Sequence, residues 1–354
     1  MRNRRLYFSS GGGFLLQFFN KYDIILCGRK KCIMKYLFFD IECSVVSKYT
    51  AKICAFGYCL TDEQFHIIEK EDILINPQGG FHLTDRKGTQ GLVLPYKYEE
   101  FKNYPTFKQK AKRIYELLQD KDTLVAGHAT MNDVKYLNLE SKRFSLPSFS
   151  FRFADTQFVY MNGINDFSRQ FGLGAIAENL GVEFVAHRAV DDAYATMKIA
   201  EAMCRAAGEG VTFAQLLEKY RIVLGKIDNY EITPPSSVAF AKYKREQELK
   251  KEERERKKVE FHNFADREKR RRAKEGKLKN KTICFSHPVE LELPLAKRLL
   301  SAAFAEAAYL TYRAEECDLY VCFEGETGPR LKSVQGKARV LTPQELEAYL
   351  GVKA

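Results

Sequence analysis

Asp40 and Glu42, one residue apart in Phe38-Phe39-Asp40-Ile41-Glu42, are the first residues of this 354-residue chain whose spacing suggests chemistry. The apolar residues Tyr36 to Phe39 that lead into them read as a strand. A strand has a side-chain period of two, so both acids project from one face while Ile41 points into the core. Like charges about 4 Å apart repel by roughly 4 kcal/mol at an effective dielectric near 20, which is costly unless a cation sits between them. The alternative is a strand that ends in acids where it meets solvent. Two later segments bear on the choice. Asp133 follows Gly127-His128-Ala129-Thr130, just after the apolar run Thr123-Leu124-Val125-Ala126 and near a helix start. His187-Arg188-Ala189-Val190-Asp191-Asp192 then offers a histidine five residues before an aspartate. In one continuous helix those two side chains lie about 140° apart, so His187 belongs to the loop before the helix if both are to face one cleft. The helix stripe selects between the two aspartates: Ala189, Ala193, Thr196, Ile199 or Ala200, and Met203 share a face with Asp192, whereas Asp191 keeps company with Lys198. An acid on that apolar face is expensive without a partner.

The elements that must position these residues are strand-rich at first. Tyr36–Ile41, Ala51–Leu60 and Phe65–Ile75, with the turn-like Thr61-Asp62-Glu63, suggest an antiparallel meander. Residues 79–98 read as a surface loop. An amphipathic helix at Phe107–Leu118, a short buried strand at Thr123–Gly127, a helix from about Met131, a strand at Phe151–Ala154 and helices at Ser168–Leu180, Ala189–Ala206 and Phe213–Leu224 follow. Such an order argues for an α/β fold with a mixed sheet flanked by helices. Pro234-Pro235-Ser236-Ser237 breaks the pattern. After the break, Thr282–Ser286 and Asp318–Phe323 are strand-like, Leu295–Ala307 is helical, and Thr342 caps a terminal helix ending at Leu350.

Length favours two or three domains, and 45% hydrophobic residues suffice for real cores. The nine cysteines are odd in number, scattered and without paired metal-ligand spacing, which implies free thiols in a reducing, cytoplasmic setting. No run reaches about 18 apolar residues, so no membrane span or membrane partner is expected. The net charge of +11 raises nucleic acid as a partner. Between Ala241 and Lys281 there are eighteen Lys/Arg against nine Asp/Glu, nearly the whole excess. That segment reads as a basic linker, a solvated helix or a disordered stretch, with Arg270, Arg271 and Arg272 as nucleic-acid contacts. Residues 1–33, with Gly11-Gly12-Gly13, Cys27 and Cys32, read as a disordered or non-native extension before Met34, the glycines as a flexible spacer. His128 reads as a packed histidine rather than a ligand.

Over residues 34–206 the chain resembles the DEDD family of 3′-to-5′ exonucleases, in its histidine subgroup, and is similar to the proofreading subunit of bacterial DNA polymerase III. The resemblance makes Asp40 and Glu42 the first motif, Asp133 the second and Asp192 the last. Together they would hold two divalent ions, Mg²⁺ or Mn²⁺, on a ribonuclease H-like fold. His187 matches the position that takes a proton from the attacking water, and Asp155-Thr156 matches a recurrent turn. Two hard cations roughly 3.5 to 4 Å apart can both activate water and stabilise the charge that develops on the phosphoryl oxygens. Histidine, with an ordinary pKa near 6.5, suits the general base. The chain departs from the family in Cys43-Ser44, where relatives carry Thr after the Glu, and in Ala129 and Asn132, which replace an Asn and an aromatic. Contacts to the terminal nucleotide are the ones these changes touch.

Residues 282–354 resemble a BRCT domain, carried by Ile283-Cys284-Phe285-Ser286, Glu316-Cys317-Asp318-Leu319-Tyr320-Val321, Arg330-Leu331-Lys332 and Val340-Leu341-Thr342. His287 stands in place of the usual glycine, and the family tryptophan is missing. The resemblance offers Ser286 and Lys332 as an anion grip and the domain as a protein-docking module. The expected order is therefore an exonuclease domain at 34–206, a helix and connecting segment at 207–240, a basic linker at 241–281 and a small α/β BRCT-like domain at 282–354. The expected function is metal-dependent 3′-to-5′ hydrolysis at nucleic-acid ends, with single-stranded DNA favoured over RNA, in DNA repair or replication. An RNA-trimming enzyme and a non-catalytic adaptor are the alternatives.

Overall fold

The computed structural model describes residues 34–79, 98–183 and 188–351. The chain divides into two units, Met1–Ala241 and Lys242–Ala354. The expectations for residues 1–33 and for most of the loop at 79–98 lie outside the described residues.

In the first unit the strands are β1 (Lys35–Val46), β2 (Ala51–Thr61), β3 (Ile67–Leu74), β4 (Thr123–Gly127), β5 (Phe151–Asp155), β6 (Ile222–Val223), β7 (Gly225–Asp228), β8 (Glu231–Thr233) and β9 (Ser236–Ser237). The helices are α1 (Tyr98–Phe101), α2 (Phe107–Leu118), α3 (Met131–Arg143), α4 (Thr156–Ile164), α5 (Leu173–Leu180), α6 (Ala189–Ala207) and α7 (Phe213–Lys219). Seven strands form a mixed sheet in the order β3-β2-β1-β4-β5-β7-β8. The first three are the expected antiparallel meander, while β4 runs parallel to β1 and β5 parallel to β4.

The strand β1 is central and covered on both faces, which explains its unbroken apolar start. Tyr36 and Phe38 enter a core built with α5, α6 and α7, whereas Leu37, Phe39 and Ile41 enter a second core with α2 and α3. Asp40 and Glu42 continue the first series and so face α6. Ile41 points into the opposite core, as its alternation requires.

The domain boundary expected at residue 206 falls short. Beyond it, β7 pairs antiparallel with β5, setting Ile227 beside Phe151, and β8 pairs with β7. Ile227 is fully buried in the second core, and Gly225 lies against the Phe153 ring so closely that a Cβ would stand 2.4 Å from it. The helix expected to Leu224 stops at Lys219, because Arg221 takes a left-handed φ of 49° and the chain turns into β6.

The long helix α8 (Val238–Glu268) carries the basic segment. The second unit then contains β10 (Thr282–Phe285), α9 (His287–Leu291), α10 (Leu293–Ala305), β11 (Tyr309–Leu310), β12 (Leu319–Val321), α11 (Pro329–Val334), β13 (Arg339–Leu341) and α12 (Pro343–Leu350). Its sheet is wholly parallel, in the order β11-β10-β12-β13. Phe261, Ala265 and Leu278 are buried in its core beside Ile283, Leu299 and Val321. The expected linker thus supplies core residues, and a start at residue 282 omits them. Thr342 caps α12 in a reciprocal arrangement with Glu345, as its sequence implied. All seven cysteines among the described residues are free thiols. Among those residues no helix is long and apolar enough to cross a membrane.

Candidate active site

Three carboxylates converge where β1 outruns its parallel neighbour. The pairing of β1 with β4 ends at Phe38 opposite Ala126, so Asp40 and Glu42 stand beyond the carboxyl end of β4. Ligand sites of α/β sheets favour such strand ends. Asp192, in the first turn of α6, comes down on the same face, and oxygens of Asp40, Glu42 and Asp192 all lie within 4.8 Å of one another. Asp191, the alternative acid, points elsewhere and sits 3.7 Å from Lys70. Lys198, its expected companion, pairs with Glu201 at 2.8 Å.

Asp133 approaches from the other side. The chain leaves β4 through Ala129, in a left-handed conformation with φ 51°, and enters α3. Asp155 holds this turn by accepting from the Ala129 N–H at 3.0 Å while capping α4 through Gln157 N–H at 2.9 Å. Asp133, fixed in the first turn of α3, accepts from the backbone N–H of Ile41, which has no partner strand at that level on the β4 side. Asp133 feels the charge of Asp40 but is not in the trio whose oxygens lie within 4.8 Å of one another. A bulge in the β1–β2 ladder directly after Glu42 redirects the strand there.

The electrostatics are one-sided. Burial pushes the Asp40 carboxyl up to about 8, with Asp192 and Asp72 adding to the effect. Burial and the charges of Asp40, Asp192 and Asp72 do the same to Glu42, again to about 8. Asp133 is driven well above the carboxylate range by burial and Asp40. Hard oxygen donors crowded at this spacing fit a divalent cation.

His187 lies outside the described residues; the chain resumes at Arg188. His128 is a packed histidine, with Nε2 2.9 Å from the Phe171 carbonyl and Nδ1 3.1 Å from Thr156 Oγ1, and burial lowers it to about 4. Gly57, Asp72 and Tyr136 belong to the surroundings of the site without any motif to mark them. Tyr136 lies one turn beyond Asp133 on α3, half-buried, and its hydroxyl is raised to about 12 by burial and by Cys43, Asp133, Glu42 and Asp40.

The expected contacts of the second unit divide. Arg270 is exposed, and Arg271 pairs loosely with Glu268 at 3.4 Å. Arg272 is committed to the fold: it donates to the Ala307 carbonyl at 2.8 Å and lies over the Tyr309 ring at 3.9 Å. Ser286 is fully buried, caps α9 and donates to Glu326 at 2.8 Å, while Lys332 is exposed. An anion at Ser286 would meet the Glu326 carboxylate, so this arrangement opposes the anion grip that the resemblance offered.

With the geometry in place, comparison with known proteins finds that residues 37–200 match the family model described as Exonuclease. The chain carries an exonuclease domain over that span and is an enzyme of that class. Among solved structures, a 3′-exonuclease described for specific recognition of the histone mRNA stem-loop is similar at 15% identity and TM-score 0.44, over 58% of this chain and 91% of that one. A structure of exonuclease I aligns at 20% identity and TM-score 0.43, over 53% of this chain and 44% of that chain. No curated protein matches the chain.

Proposed function

We propose that the first unit is a metal-dependent exonuclease that removes nucleotides from nucleic-acid 3′ ends. The observation that carries this reading is the convergence of Asp40, Glu42 and Asp192, with Asp133 near enough to feel the charge of Asp40. Bound there, divalent ions would lower the pKa of an attacking water and stabilise charge on the phosphoryl oxygens. Asp40, which belongs to the trio and also acts on Asp133, is the residue suited to serve two cations at once. His187 takes the proton from the water, the role its family position implies. Attack at phosphorus breaks the bond to the 3′ oxygen of the penultimate nucleotide and releases a nucleoside 5′-monophosphate. The DNA ends met in repair or replication are the setting we assign, on the strength of the motif's resemblance to proofreading exonucleases.

The second unit is read as a BRCT-like docking module, supported by its parallel sheet and flanking helices. Its exposed Arg270 and Arg271 are the contacts we retain for nucleic acid.

The test is digestion of 5′-labelled single-stranded DNA and RNA of one sequence with Mg²⁺ or Mn²⁺, with chelator, and with Asp40→Ala. Stepwise shortening that needs metal and Asp40 is expected. Equal product in all three conditions sinks the proposal, and binding without turnover at any metal concentration makes the fold a docking surface instead. The ratio of DNA to RNA turnover separates the two substrate classes.

A further inference from the structure

Asp72 stands in the polar run Glu69-Lys70-Glu71-Asp72 of β3, which by composition belongs at a solvated edge. Sheet register places it otherwise. Asp40 is opposite Gly57, and Gly57 is opposite Asp72, so the three form one row across β1, β2 and β3 and point to one face. Between the two acids the sheet has no side chain. The start of α6 occupies that space: a Cβ on Gly57 would stand 2.0 Å from the carbonyl carbon of Ala189 and 2.1 Å from the Val190 nitrogen.

Arg188 is the residue that enters α6, in extended backbone. Its Nε lies 3.1 Å from Asp72 Oδ2, with the Asp72 side chain 7% exposed and Arg188 51% exposed. Its carbonyl accepts from the N–H of Asp191 at 2.8 Å and of Asp192 at 3.0 Å. One connected path therefore runs from β3 through the guanidinium to the backbone of Asp192. On charge alone Asp72 is a poor choice, since it adds to the burden on Asp40 and Glu42. A carboxylate is needed there only if something must be gripped.

We propose that Asp72 and Arg188 are positioning residues: their ion pair pins the first turn of α6 onto Gly57 and so fixes where Asp192 stands relative to Asp40 and Glu42. The inference rests on the metal-site reading above, and its test separates the two. Mn²⁺ is titrated into the metal-free full-length chain, and the free ion is followed by electron paramagnetic resonance. The wild type is compared with Arg188→Gln, Arg188→Lys and Asp72→Asn/Arg188→Gln. Charge alone predicts that Arg188→Gln binds Mn²⁺ more tightly, because a cation near the acids is gone. Positioning predicts the opposite sign, a loss of roughly tenfold, the scale typical when a residue orienting a metal ligand is removed. Arg188→Lys should recover part of that loss, and the double variant should bind no worse than Arg188→Gln. Because Arg188 is half exposed, its unfolding midpoint should stay near that of the wild type. Equal or tighter Mn²⁺ binding by Arg188→Gln overturns the proposal, as does a lowered midpoint with unchanged affinity. Wild-type protein that takes up no Mn²⁺ overturns the metal site itself.

Discussion

In the second unit Glu326 accepts from the Ser286 hydroxyl at 2.8 Å and the Phe323 N–H at 2.7 Å, and buried Glu290 lies 3.0 Å from the His287 ring and 4.0 Å from Arg330. In the first unit, by contrast, Asp40 and Glu42 feel burial and further carboxylates, all acting in one direction. The fold meets the acids of one place with donors, and sets Asp40 and Glu42 of the other among further acids. A carboxylate matched by donors of the fold is a strut, whereas acids gathered against their mutual repulsion imply a cation from outside. Five perturbations test that contrast.

The largest effect is expected from Asp40→Ala. Losing a cation that supplies about 4 kcal/mol of transition-state stabilisation slows turnover roughly a thousandfold. Glu326→Gln, its counterpart in the second unit, should leave turnover within about twofold of wild type; rates at saturating metal check both. Next is Gly57→Ala, whose added Cβ has only backbone to meet. Overpacking of this kind costs about 3 kcal/mol and should lower denaturant stability and activity together.

The third perturbation is pH. Unfolded, Asp40 and Glu42 ionise near their ordinary values of 3.8 and 4.5, but in the metal-free fold they hold protons up to about 8. Between those limits the native state binds more protons than the unfolded state, so metal-free stability falls as pH rises from about 4 to 8. The unfolding midpoint of the metal-free protein should fall steadily across that window. The midpoint gained on adding Mg²⁺ should grow over the same range. Calorimetric scans with and without the ion decide it.

Smaller still is Ser286→Ala, which deletes a buried cap and one partner of Glu326. About 1 to 2 kcal/mol of stability should be lost with Mn²⁺ affinity unchanged, read by chemical denaturation beside metal titration. Last, replacing Arg270 and Arg271 by Ala should reduce the salt dependence of single-strand binding by about 0.7 in slope for each phosphate that is no longer neutralised. Arg272, held by Ala307 and Tyr309, should cost folding stability in preference to binding.

Much of the first unit was legible because it follows local rules. The alternation around Ile41 placed both acids on one face, and the helical stripe of α6 chose Asp192 over Asp191. The bounds of α2 and β4 and the Thr342 cap also follow from periodicity and end residues. What could not be read depends on distant partners. The strands β7 and β8 are three or four residues long and mix Lys226, Asp228 and Glu231 with one buried isoleucine, so only pairing with β5 reveals them. Helix α4 begins directly at the end of β5, capped by that strand's last residue, and leaves no loop to announce it. Phe261, Phe264 and Ala265 are a short apolar cluster near the end of a long charged helix and signify little until the second unit closes over them. Gly57 and Asp72 carry no local signal, since their meaning lies in a row of three strands and the helix laid on it. The surroundings of Ser286 likewise depend on a distant partner: Glu326, forty residues on, accepts from its hydroxyl.

The most direct test of the acidic pocket as a cation site is anomalous scattering from crystals of the full chain soaked in Mn²⁺. Two peaks are predicted, both touching Asp40, one shared with Glu42 and Asp192 and one on the side of Asp133. Crystals at full Mn²⁺ exposure with no peak among these oxygens, or with the oxygens turned away from a common centre, would contradict the account.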